Sequence, residues 1–335
     1  MKKKIKAGII GLGVGVQHIE GYRKHPDCEV VALCDFSNEK LSELKAKYPE
    51  LLLFTDPNEL LEHPEIDVVS IASHDNYHFE QIMKAIENDK HIFVEKPLCL
   101  YEEEAASIHA ALASKPFLKM SSNLILRMSP RFRLLKEMIK NDEFGQLFYL
   151  DGDYNYGRIH KITEGWRGKI DFYSVVYGGG VHIVDLFLWL AGDRIDEVCA
   201  YGNNISTRDS QFRFNDTVVA ILKFRSGIIG KLSSNFSCVF PHFHKLTIYG
   251  TKATFENGLE YGRLYESRDP SAISKKIMAL HPGVHKGDLI SDFIETVLTG
   301  SSNGVSQEEV FDAMSVCFAI EKAVSKMGSV KVKYL

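Results

Sequence analysis

Short apolar runs alternate with stretches of helical periodicity from residue 4 to about residue 120. Most of these runs are apolar throughout, which is typical of strands buried on both faces of a sheet. Several of the helical stretches begin with Ser, Asp or Asn, the residues that cap helix N-termini. The alternation predicts βαβ units and a doubly wound parallel sheet. The predicted strands span residues 4–10, 29–34, 51–54, 68–72, 91–95 and 117–120, and the predicted helices span residues 16–24, 38–48, 58–62, 76–88 and 101–114.

The pattern changes after a predicted helix over residues 130–140, because strands then follow one another without intervening helices. This change predicts a second domain with a mostly antiparallel sheet, in which Ser226-Gly227 forms a hairpin turn. The predicted strands span residues 148–156, 198–201, 217–224, 228–236 and 245–249, and two further helices span residues 288–298 and 307–327. A sheet with one open face favours a binding surface or a dimer contact.

These patterns predict an α/β protein with two domains: a Rossmann domain over residues 1–122 and an α+β domain with an open-faced sheet over residues 123–335. The chain of 335 residues is too long for one ordinary core, since single cores stop growing at roughly 250 to 300 residues. Its 45% hydrophobic and 25% charged residues are typical of a globular protein. The net charge of −4 argues against a general affinity for nucleic acid or anionic membrane, so we expect small-molecule partners.

The six cysteines, at positions 28, 34, 99, 199, 238 and 317, form no C-x-x-C pair and no Cys/His group with metal-ligand spacing. We interpret them as core thiols in a reducing compartment, and we expect no metal. No apolar stretch approaches the roughly 20 residues that span a bilayer. The first apolar run is too short for a signal peptide. These features predict a soluble, cytoplasmic protein.

A glycine-rich turn connects the first predicted strand to the first predicted helix. Gly11, Gly13 and Gly15 precede Val16. Glycines in such a turn let the backbone approach a pyrophosphate, and the helix N-terminus favours its negative charge. The spacing G-x-G-x-G is one residue shorter than the standard motif, so a plain strand-to-helix turn is the alternative. We predict that these four residues bind a dinucleotide.

Asp35 ends the second predicted strand, 24 residues after Gly11. A carboxylate at about this separation binds the adenosine ribose hydroxyls in dinucleotide-binding domains. The alternative is a surface residue that caps the helix beginning at Asn38. A carboxylate would repel a ribose phosphate, and no Arg follows directly. We therefore predict NAD, in preference to NADP, as the cofactor.

Lys96 follows the fifth predicted strand within the sequence Glu95-Lys96-Pro97. Residues just past the carboxyl ends of parallel strands line the cofactor crevice of such sheets. A lysine beside a positively charged nicotinamide ring would have a lowered pKa and could take a hydroxyl proton as hydride leaves the substrate. An ordinary surface cation is the alternative. We expect Glu95 to orient the lysine.

His182 and Asp185 lie three residues apart in the sequence Gly180-Val-His-Ile-Val-Asp185. This spacing places them on one face if the segment is helical. The histidine could bind the reacting hydroxyl or share its proton, and the aspartate could bind a neighbouring hydroxyl. A buried structural histidine is the alternative.

The glycine turn, the Glu-Lys-Pro sequence and the Gly-x-His-x-x-Asp sequence together resemble the Gfo/Idh/MocA oxidoreductase family over essentially the whole chain. The resemblance implies a Rossmann domain, a mostly antiparallel C-terminal sheet, and a homodimer or homotetramer. It also implies a sugar, inositol or nucleotide sugar as substrate, with Lys96 and His182 as the catalytic residues.

One position departs from the family pattern. Many members carry an aspartate four residues before the histidine, and here that residue is Gly178. Either the lysine and the histidine suffice, or another polar group replaces the carboxylate, or the catalytic power is reduced. The candidates for that polar group are Tyr173, Tyr177 and Asp171.

Further side chains complete the predicted site. Ser73 and His78 follow the fourth predicted strand, and we predict that they contact the cofactor together with Glu95 and Lys96. For His78 a structural role is equally open. Side chains with flat, hydrogen-bonding or cationic surfaces suit a hydroxylated or anionic substrate. The predicted substrate-binding residues are Arg127, Tyr154, Trp166, Arg167 and Asp185.

The resulting prediction is an NAD(P)-dependent enzyme that transfers a hydride between nicotinamide and a secondary alcohol or ketone of a sugar, inositol or nucleotide sugar. Two alternatives stay open at this point. One is a redox-neutral, NAD-dependent glycoside hydrolase or epimerase. The other is a non-catalytic NAD(H)-binding sensor. The shortened glycine turn and the glycine at position 178 favour this alternative.

Overall fold

The computed structural model describes residues 4–301 and 304–335. The strands within these residues are β1 (Ile5–Ile10), β2 (Cys28–Cys34), β3 (Leu52–Phe54), β4 (Val68–Ile71), β5 (His91–Val94), β6 (Met120–Ser122), β7 (Leu147–Asn155), β8 (Ile195–Asn203), β9 (Thr217–Phe224), β10 (Ile229–Asn235), β11 (Phe243–Gly250), β12 (Thr254–Asn257), β13 (Gly262–Tyr265), β14 (Lys275–Ile277) and β15 (Ser329–Lys331). The α-helices are α1 (Val16–Arg23), α2 (Asn38–Lys47), α3 (Pro57–Glu62), α4 (His78–Glu87), α5 (Glu102–Ser114), α6 (Pro130–Lys140), α7 (His160–Thr163), α8 (Val181–Ala191), α9 (Ile290–Thr299) and α10 (Gln307–Lys326).

The chain divides into two compact units. Unit 1 comprises the chain up to Ile125, together with His285–Phe311 and Leu335, and unit 2 comprises Leu126–Val284 and Asp312–Tyr334. The first boundary therefore lies three residues beyond the predicted one. The second predicted domain also differs from the observed unit, because the chain returns to unit 1 after residue 284.

Packing of α9 explains this return. The ring of Phe293 in α9 lies 5.6 Å from the ring of Phe93 in β5. Just before α9, Gly287 lies against α1, where a Cβ at Gly21 would lie only 2.6 Å from the Gly287 carbonyl oxygen. Such close backbone approach is possible because both residues are glycines. A pattern of local periodicity does not contain this contact, since its partners are far apart in the sequence.

Six parallel strands form the sheet of unit 1 in the order β3-β2-β1-β4-β5-β6. This is the order of a doubly wound dinucleotide-binding sheet, so the predicted Rossmann fold is confirmed. The last strand begins later than predicted, at Met120. The reason is a turn before it, in which the N–H of Leu118 donates to the carbonyl oxygen of Lys115.

Local capping signals explain where the helices of unit 1 begin. The Ser37 hydroxyl accepts the N–H of Lys40 at 3.4 Å at the start of α2. At α3, Asp56 accepts the N–H of Asn58 at 2.9 Å, and Pro57 occupies the first position. The helix predicted from residue 76 instead starts with a 3₁₀ turn, and α4 follows it. None of the described helices is both long and apolar enough to cross a membrane.

Nine strands form the sheet of unit 2 in the order β14-β13-β12-β11-β7-β10-β9-β8-β15. Neighbouring strands run antiparallel except β7 and β10, so the predicted, mostly antiparallel sheet is confirmed. The predicted hairpin turn joins β9 to β10, with Gly227 at a φ of 95°. Strands β12 to β15 are absent from the prediction, since each has only three or four residues and alternation needs longer runs to be visible.

The two faces of this second sheet differ. Helix α8 covers one face, where the absence of a side chain at Gly152 leaves room for Phe187 and Ile183. On the other face, alternate residues of β9 are exposed, among them Val219 at 40% and Ile221 at 47%. The predicted open face is therefore observed.

Candidate functional site

The turn between β1 and α1 depends on two glycines for its backbone path. Gly11 has a φ of 86°, which side chains disfavour, and a Cβ there would lie 2.4 Å from the carbonyl oxygen of Ala72. A Cβ at Gly15 would lie 2.4 Å from the carbonyl oxygen of Gly11. At Gly13, by contrast, no atom of the described residues lies within 4 Å of the Cβ position. The turn therefore has open space beside Gly13, shortly before α1 begins at Val16.

Asp35 fastens this turn to the end of β2. Its Oδ2 accepts the N–H of Leu12 at 2.8 Å, and its Oδ1 accepts the N–H of Ser37 at 2.9 Å. Lys40 Nζ lies 3.4 Å from Oδ2, and the Asp35 side chain is only 3% exposed. The carboxylate thus fixes the backbone of the glycine turn at Leu12 and the backbone after β2 at Ser37. The sequence does not predict this role. A ribose hydroxyl would use the second lone pair of either oxygen, and that contact stays a prediction.

Aromatic side chains lie at the carboxyl ends of β2 and β4. Phe36 is 79% exposed, and its ring lies 6.5 Å from the ring of His74, edge to face. Tyr77 stacks on His74 at 6.4 Å. Exposed aromatic faces at this edge of the sheet suit a flat heterocyclic base. None of the three is among the predicted site residues, although Phe36 directly follows Asp35 in the sequence.

Ser73 and His78 both stabilise the turn after β4. The Ser73 hydroxyl donates to Oε1 of Gln81 at 2.8 Å. The ring of His78 is fully buried, with Nδ1 2.7 Å from the carbonyl oxygen of Pro97 and Nε2 3.3 Å from that of Ser73. Because both ring nitrogens face backbone carbonyls, the geometry favours the structural role of His78 over the predicted cofactor contact.

Glu95 is the centre of a buried polar cluster at the end of β5. Its Oε1 accepts Nδ2 of Asn123 at 2.7 Å and lies 3.4 Å from Nε2 of His18. Its Oε2 lies 3.8 Å from Nζ of Lys286. Burial by itself raises the pKa of the Glu95 carboxyl, but Lys286, His18 and Lys96 together hold that pKa well below its usual value. Glu95 is therefore an ionised carboxylate in the interior of unit 1.

Lys96 lies directly after this cluster, past the carboxyl end of β5, where the sequence predicts it. Its side chain is half-buried, and its peptide bond to Pro97 is cis. The favourable charge interaction between Lys96 and Glu95 agrees with the expectation that the carboxylate orients the lysine.

In unit 2, His182 lies in the first turn of α8, directly after a π-helical turn at Val176–Gly180. The histidine is 4% exposed, and its ring stacks on the ring of Tyr154 in β7 at 6.0 Å. Burial raises the pKa of the Tyr154 phenol, which keeps the hydroxyl protonated. The structure thus brings together two predicted site residues.

Arg127 and Asp185 pair with each other. The Arg127 Nε lies 3.0 Å from both carboxylate oxygens, and Nη2 lies 2.6 Å from Oδ1. Their side chains are 6% and 1% exposed. Such a two-pronged, buried pair fixes α8 to the 3₁₀ turn that carries Arg127. The sequence predicts that both residues bind substrate. In the structure their charged groups bind each other.

A tyrosine hydroxyl fills the space next to Gly178. A Cβ at Gly178 would lie 2.0 Å from Oη of Tyr173. Asp171 is exposed, and the ring of Tyr177 packs edge to face on Phe172. Among the three candidates for a polar group at this position, Tyr173 is the one whose hydroxyl occupies the place of a side chain at residue 178.

Trp166 and Arg167 join the same aromatic cluster. The Arg167 guanidinium lies 4.6 Å from the Trp166 ring centre and 6.0 Å from that of Tyr173. Phe236 connects this group to the other half of the cluster, because its ring contacts both Tyr173 and Tyr154. Three of the predicted substrate-binding residues therefore lie in one cluster with His182.

Two histidines beside this cluster are missing from the sequence prediction. His244 of β11 pairs with Tyr154 in the sheet register, and its ring lies 6.3 Å from that of His182. His242 lies 4.8 Å from His244. The alternation of β11 could have placed His244 on the covered face, but the predicted strand begins at residue 245, one residue after this histidine. The described residues contain no group of His, Cys, Asp and Glu side chains arranged to hold a metal ion.

The residues of unit 1 fit a dinucleotide. Open space beside Gly13 near a helix N-terminus suits a pyrophosphate, Asp35 lies at the adjacent strand end, and the exposed Phe36 ring suits a base. Lys96 follows the carboxyl end of β5 in the same sheet, where reacting groups of such folds lie. The fold and these residues define a dinucleotide-binding protein of the Rossmann class.

Comparison with known proteins identifies the family. Residues 5–121 match an oxidoreductase family with an NAD-binding Rossmann fold, and residues 132–256 match the GFO/IDH/MocA C-terminal domain. The chain belongs to the Gfo/Idh/MocA family, as its sequence motifs indicate. It is an oxidoreductase, and its cofactor is NAD.

Its relatives share most of its length at low sequence identity. Myo-inositol 2-dehydrogenase of Thermotoga maritima is 24% identical over 343 aligned residues, which cover 98% of this chain and 99% of that protein. Levoglucosan dehydrogenase in complex with NADH has a TM-score of 0.86 at 20% identity, covering 99% of this chain and 100% of that one. scyllo-Inositol dehydrogenase of Lactobacillus casei, with NAD(H) and scyllo-inositol bound, has a TM-score of 0.81 at 20% identity, covering 98% and 99%. These structures share the fold of this protein.

Proposed function

We propose that the protein oxidises a secondary alcohol of a sugar or polyol to a ketone, and reduces the ketone in the reverse direction. The observation that carries the proposal is Lys96, which follows the ionised Glu95 at the carboxyl end of a Rossmann strand. The relatives support the substrate class, since they are named for myo-inositol, scyllo-inositol and levoglucosan.

Lys96 acts as the base of the oxidation. Its neutral amine takes the proton of the substrate hydroxyl, and the electron pair of that O–H bond forms the C=O bond. Bound NAD would supply the acceptor for the hydride that leaves the same carbon. The lysine ends the reaction as an ammonium, and in the reverse direction it returns its proton to the carbonyl oxygen.

His182 and Tyr173, both in unit 2, form hydrogen bonds to substrate hydroxyl groups and exchange protons with them. Stacking on Tyr154 fixes the histidine ring. Residue 178 lies four positions before His182, on the same side of the helical run, and the Tyr173 hydroxyl occupies its side-chain space. A phenol both donates and accepts a hydrogen bond, so it can exchange a proton with a substrate hydroxyl as a carboxyl group would.

The remaining predicted residues bind or support the substrate. Trp166 and Arg167 offer a flat ring and a cation to a polyhydroxylated or carboxylated ligand. The pair of Arg127 and Asp185 holds α8, and with it His182, in position. The residues that bind the NAD phosphates and ribose are those of the glycine turn, with Val16 and Asp35.

The assembly is a homodimer or homotetramer formed through the open face of the unit 2 sheet. Apolar side chains are exposed on that face on three neighbouring strands, with Tyr201 of β8 directly opposite Val219 of β9. Such a group is unusual for a free surface. Its members are Tyr201, Val219, Ile221 and Ile229.

The six cysteines carry free thiols, which supports a reducing, cytoplasmic compartment.

A screen of NAD⁺ reduction, followed at the nicotinamide absorbance, tests the proposal. Sugars, inositols, sugar acids and nucleotide sugars are offered to the wild type, to Lys96→Met and to Lys47→Met, which removes an exposed lysine as a control. We expect turnover of a polyol or sugar by the wild type and the control, and a loss of about 10²- to 10⁴-fold in Lys96→Met.

Two results would contradict the proposal. One is undiminished turnover in Lys96→Met. The other is bound NAD without net reduction by any compound. In that case, product release from a glycoside would indicate a redox-neutral enzyme, and no product at all would indicate a sensor.

A further inference from the structure

A buried ion cluster connects Lys286 to the proposed base. Lys286 belongs to the segment that returns to unit 1 after residue 284, and its Nζ lies 3.8 Å from Oε2 of Glu95. Its backbone is held at the same place, because Nδ2 of Asn123 donates to its carbonyl oxygen at 2.9 Å and to Oε1 of Glu95 at 2.7 Å. The position of Lys286 is thus set by the same amide that binds the carboxylate.

Glu95 faces cationic or titratable groups from three parts of unit 1. These are His18 of α1, Lys286, and Lys96 as its own neighbour in the chain. His18 is in turn bonded through Nδ1 to the Ser70 hydroxyl at 2.7 Å. Two lysines therefore share one carboxylate that is only 8% exposed. At such burial, charges act on one another more strongly than they do in water.

We propose that Lys286 is a positioning residue of the reaction: it balances the charge of Glu95 and thereby keeps Lys96 able to accept a proton near neutral pH. The inference rests on the proposed role of Lys96 as the base. A buried carboxylate with one lysine as its partner would hold that lysine as an ammonium, which cannot take a proton. A second cation on the same carboxylate weakens this hold, and its own charge disfavours another positive charge nearby.

The test follows the titration of Lys96 itself. A neutral amine reacts with acetic anhydride and an ammonium does not, so the labelling of Lys96 against pH, read by mass spectrometry, gives the midpoint of its titration. In Lys286→Met the midpoint should rise by about one pH unit, and in Glu95→Gln it should fall. Lys286→Arg keeps the charge and should keep the wild-type midpoint.

Lys24→Met is the matched control, because it removes a lysine from an exposed ion pair with Asp288 at 3.2 Å, close to the same segment. Its midpoint should equal that of the wild type. Thermal unfolding and NAD binding show that each variant is folded. A purely structural role for Lys286 would lower the unfolding temperature and leave the midpoint unchanged.

Catalysis gives a second measurement. The ascending limb of kcat/KM for alcohol oxidation should move to higher pH in Lys286→Met, in step with the labelling midpoint. A midpoint that stays or falls in folded Lys286→Met overturns the inference, whatever Glu95→Gln does. Because labelling needs no turnover, a protein inactive on every polyol would contradict the proposed function and leave this test decisive.

Discussion

Gly178 and Tyr173 show how a site position can be filled from another part of the chain. A glycine stands four residues before His182, and the tyrosine hydroxyl occupies the space that a longer side chain at residue 178 would take. Because that space is taken, the glycine and the tyrosine depend on each other. The sequence offers three candidates for the missing polar group, and packing distinguishes them.

Tyr173→Phe should reduce kcat for the alcohol substrate by roughly 10²-fold, the range of a positioned proton-transfer group. The phenyl ring keeps the packing, so the unfolding temperature and NAD affinity should stay close to those of the wild type. Tyr177→Phe removes a hydroxyl from the adjacent helical turn and serves as the control. Equal kcat in both variants would exclude Tyr173 from the reaction.

The buried pair of Arg127 and Asp185 gives a prediction about stability. Arg127→Met leaves the Asp185 carboxylate buried with a much poorer set of donors, which should lower the free energy of unfolding by about 3 to 5 kcal/mol. Arg127→Met combined with Asp185→Leu removes both charges and should recover much of that loss. Urea unfolding of the wild type, both single variants and the double variant measures the coupling. Strictly additive losses would mean that the pair does not act as a unit.

At the scale of elements, local patterns predict most of the fold. The glycine turn, the six parallel strands and the hairpin at Ser226-Gly227 are all encoded in short stretches of sequence. The missing parts depend on distant contacts. The chain returns to unit 1 because Gly287 and Phe293 find partners in α1 and β5, and His244 joins the cluster through its register with β7. Likewise, nothing near Lys286 in the sequence indicates that it binds Glu95.

The turn between β1 and α1 should separate cofactor binding from stability. Gly13→Ala adds a Cβ where the structure has open space, so the unfolding temperature should be unchanged, whereas the affinity for NAD should fall by at least about tenfold if a phosphate occupies that space. Gly15→Ala places its Cβ 2.4 Å from the Gly11 carbonyl oxygen and should lower both. Calorimetry and NAD titration give the two quantities. Unaltered NAD affinity in Gly13→Ala would contradict the phosphate assignment.

At the scale of the whole molecule, each unit has a sheet suited to a different task. The parallel sheet of unit 1 gathers the glycine turn, Asp35 and Lys96. The mostly antiparallel sheet of unit 2 carries the aromatic and histidine cluster on its covered face. Its open face carries the exposed apolar side chains of Tyr201, Val219, Ile221 and Ile229. A second copy of the chain would cover these apolar side chains, which is the physical reason to expect self-association.

Ile221→Glu places a charge among the exposed apolar side chains of the open face, opposite Lys231. It should weaken self-association by at least about tenfold, since removing a charge from water in an apolar contact is costly. Leu134→Glu is the control, because Leu134 is also exposed, at 40%, but lies on α6. Sedimentation velocity over a concentration series measures the assembly. A monomeric wild type, or an unchanged assembly in Ile221→Glu, would contradict the proposed interface.

The transfer of hydride from an alcohol carbon to NAD is tested most directly with a substrate deuterated at that carbon. The protein is mixed with NAD⁺ and the deuterated form of a polyol or sugar that it binds, and the nicotinamide product is analysed by mass spectrometry after a single turnover. We predict that wild-type protein yields reduced NAD carrying one deuterium and that Lys96→Met yields almost none. Reduced NAD without deuterium, or the same deuterium content from Lys96→Met, would contradict the proposed reaction.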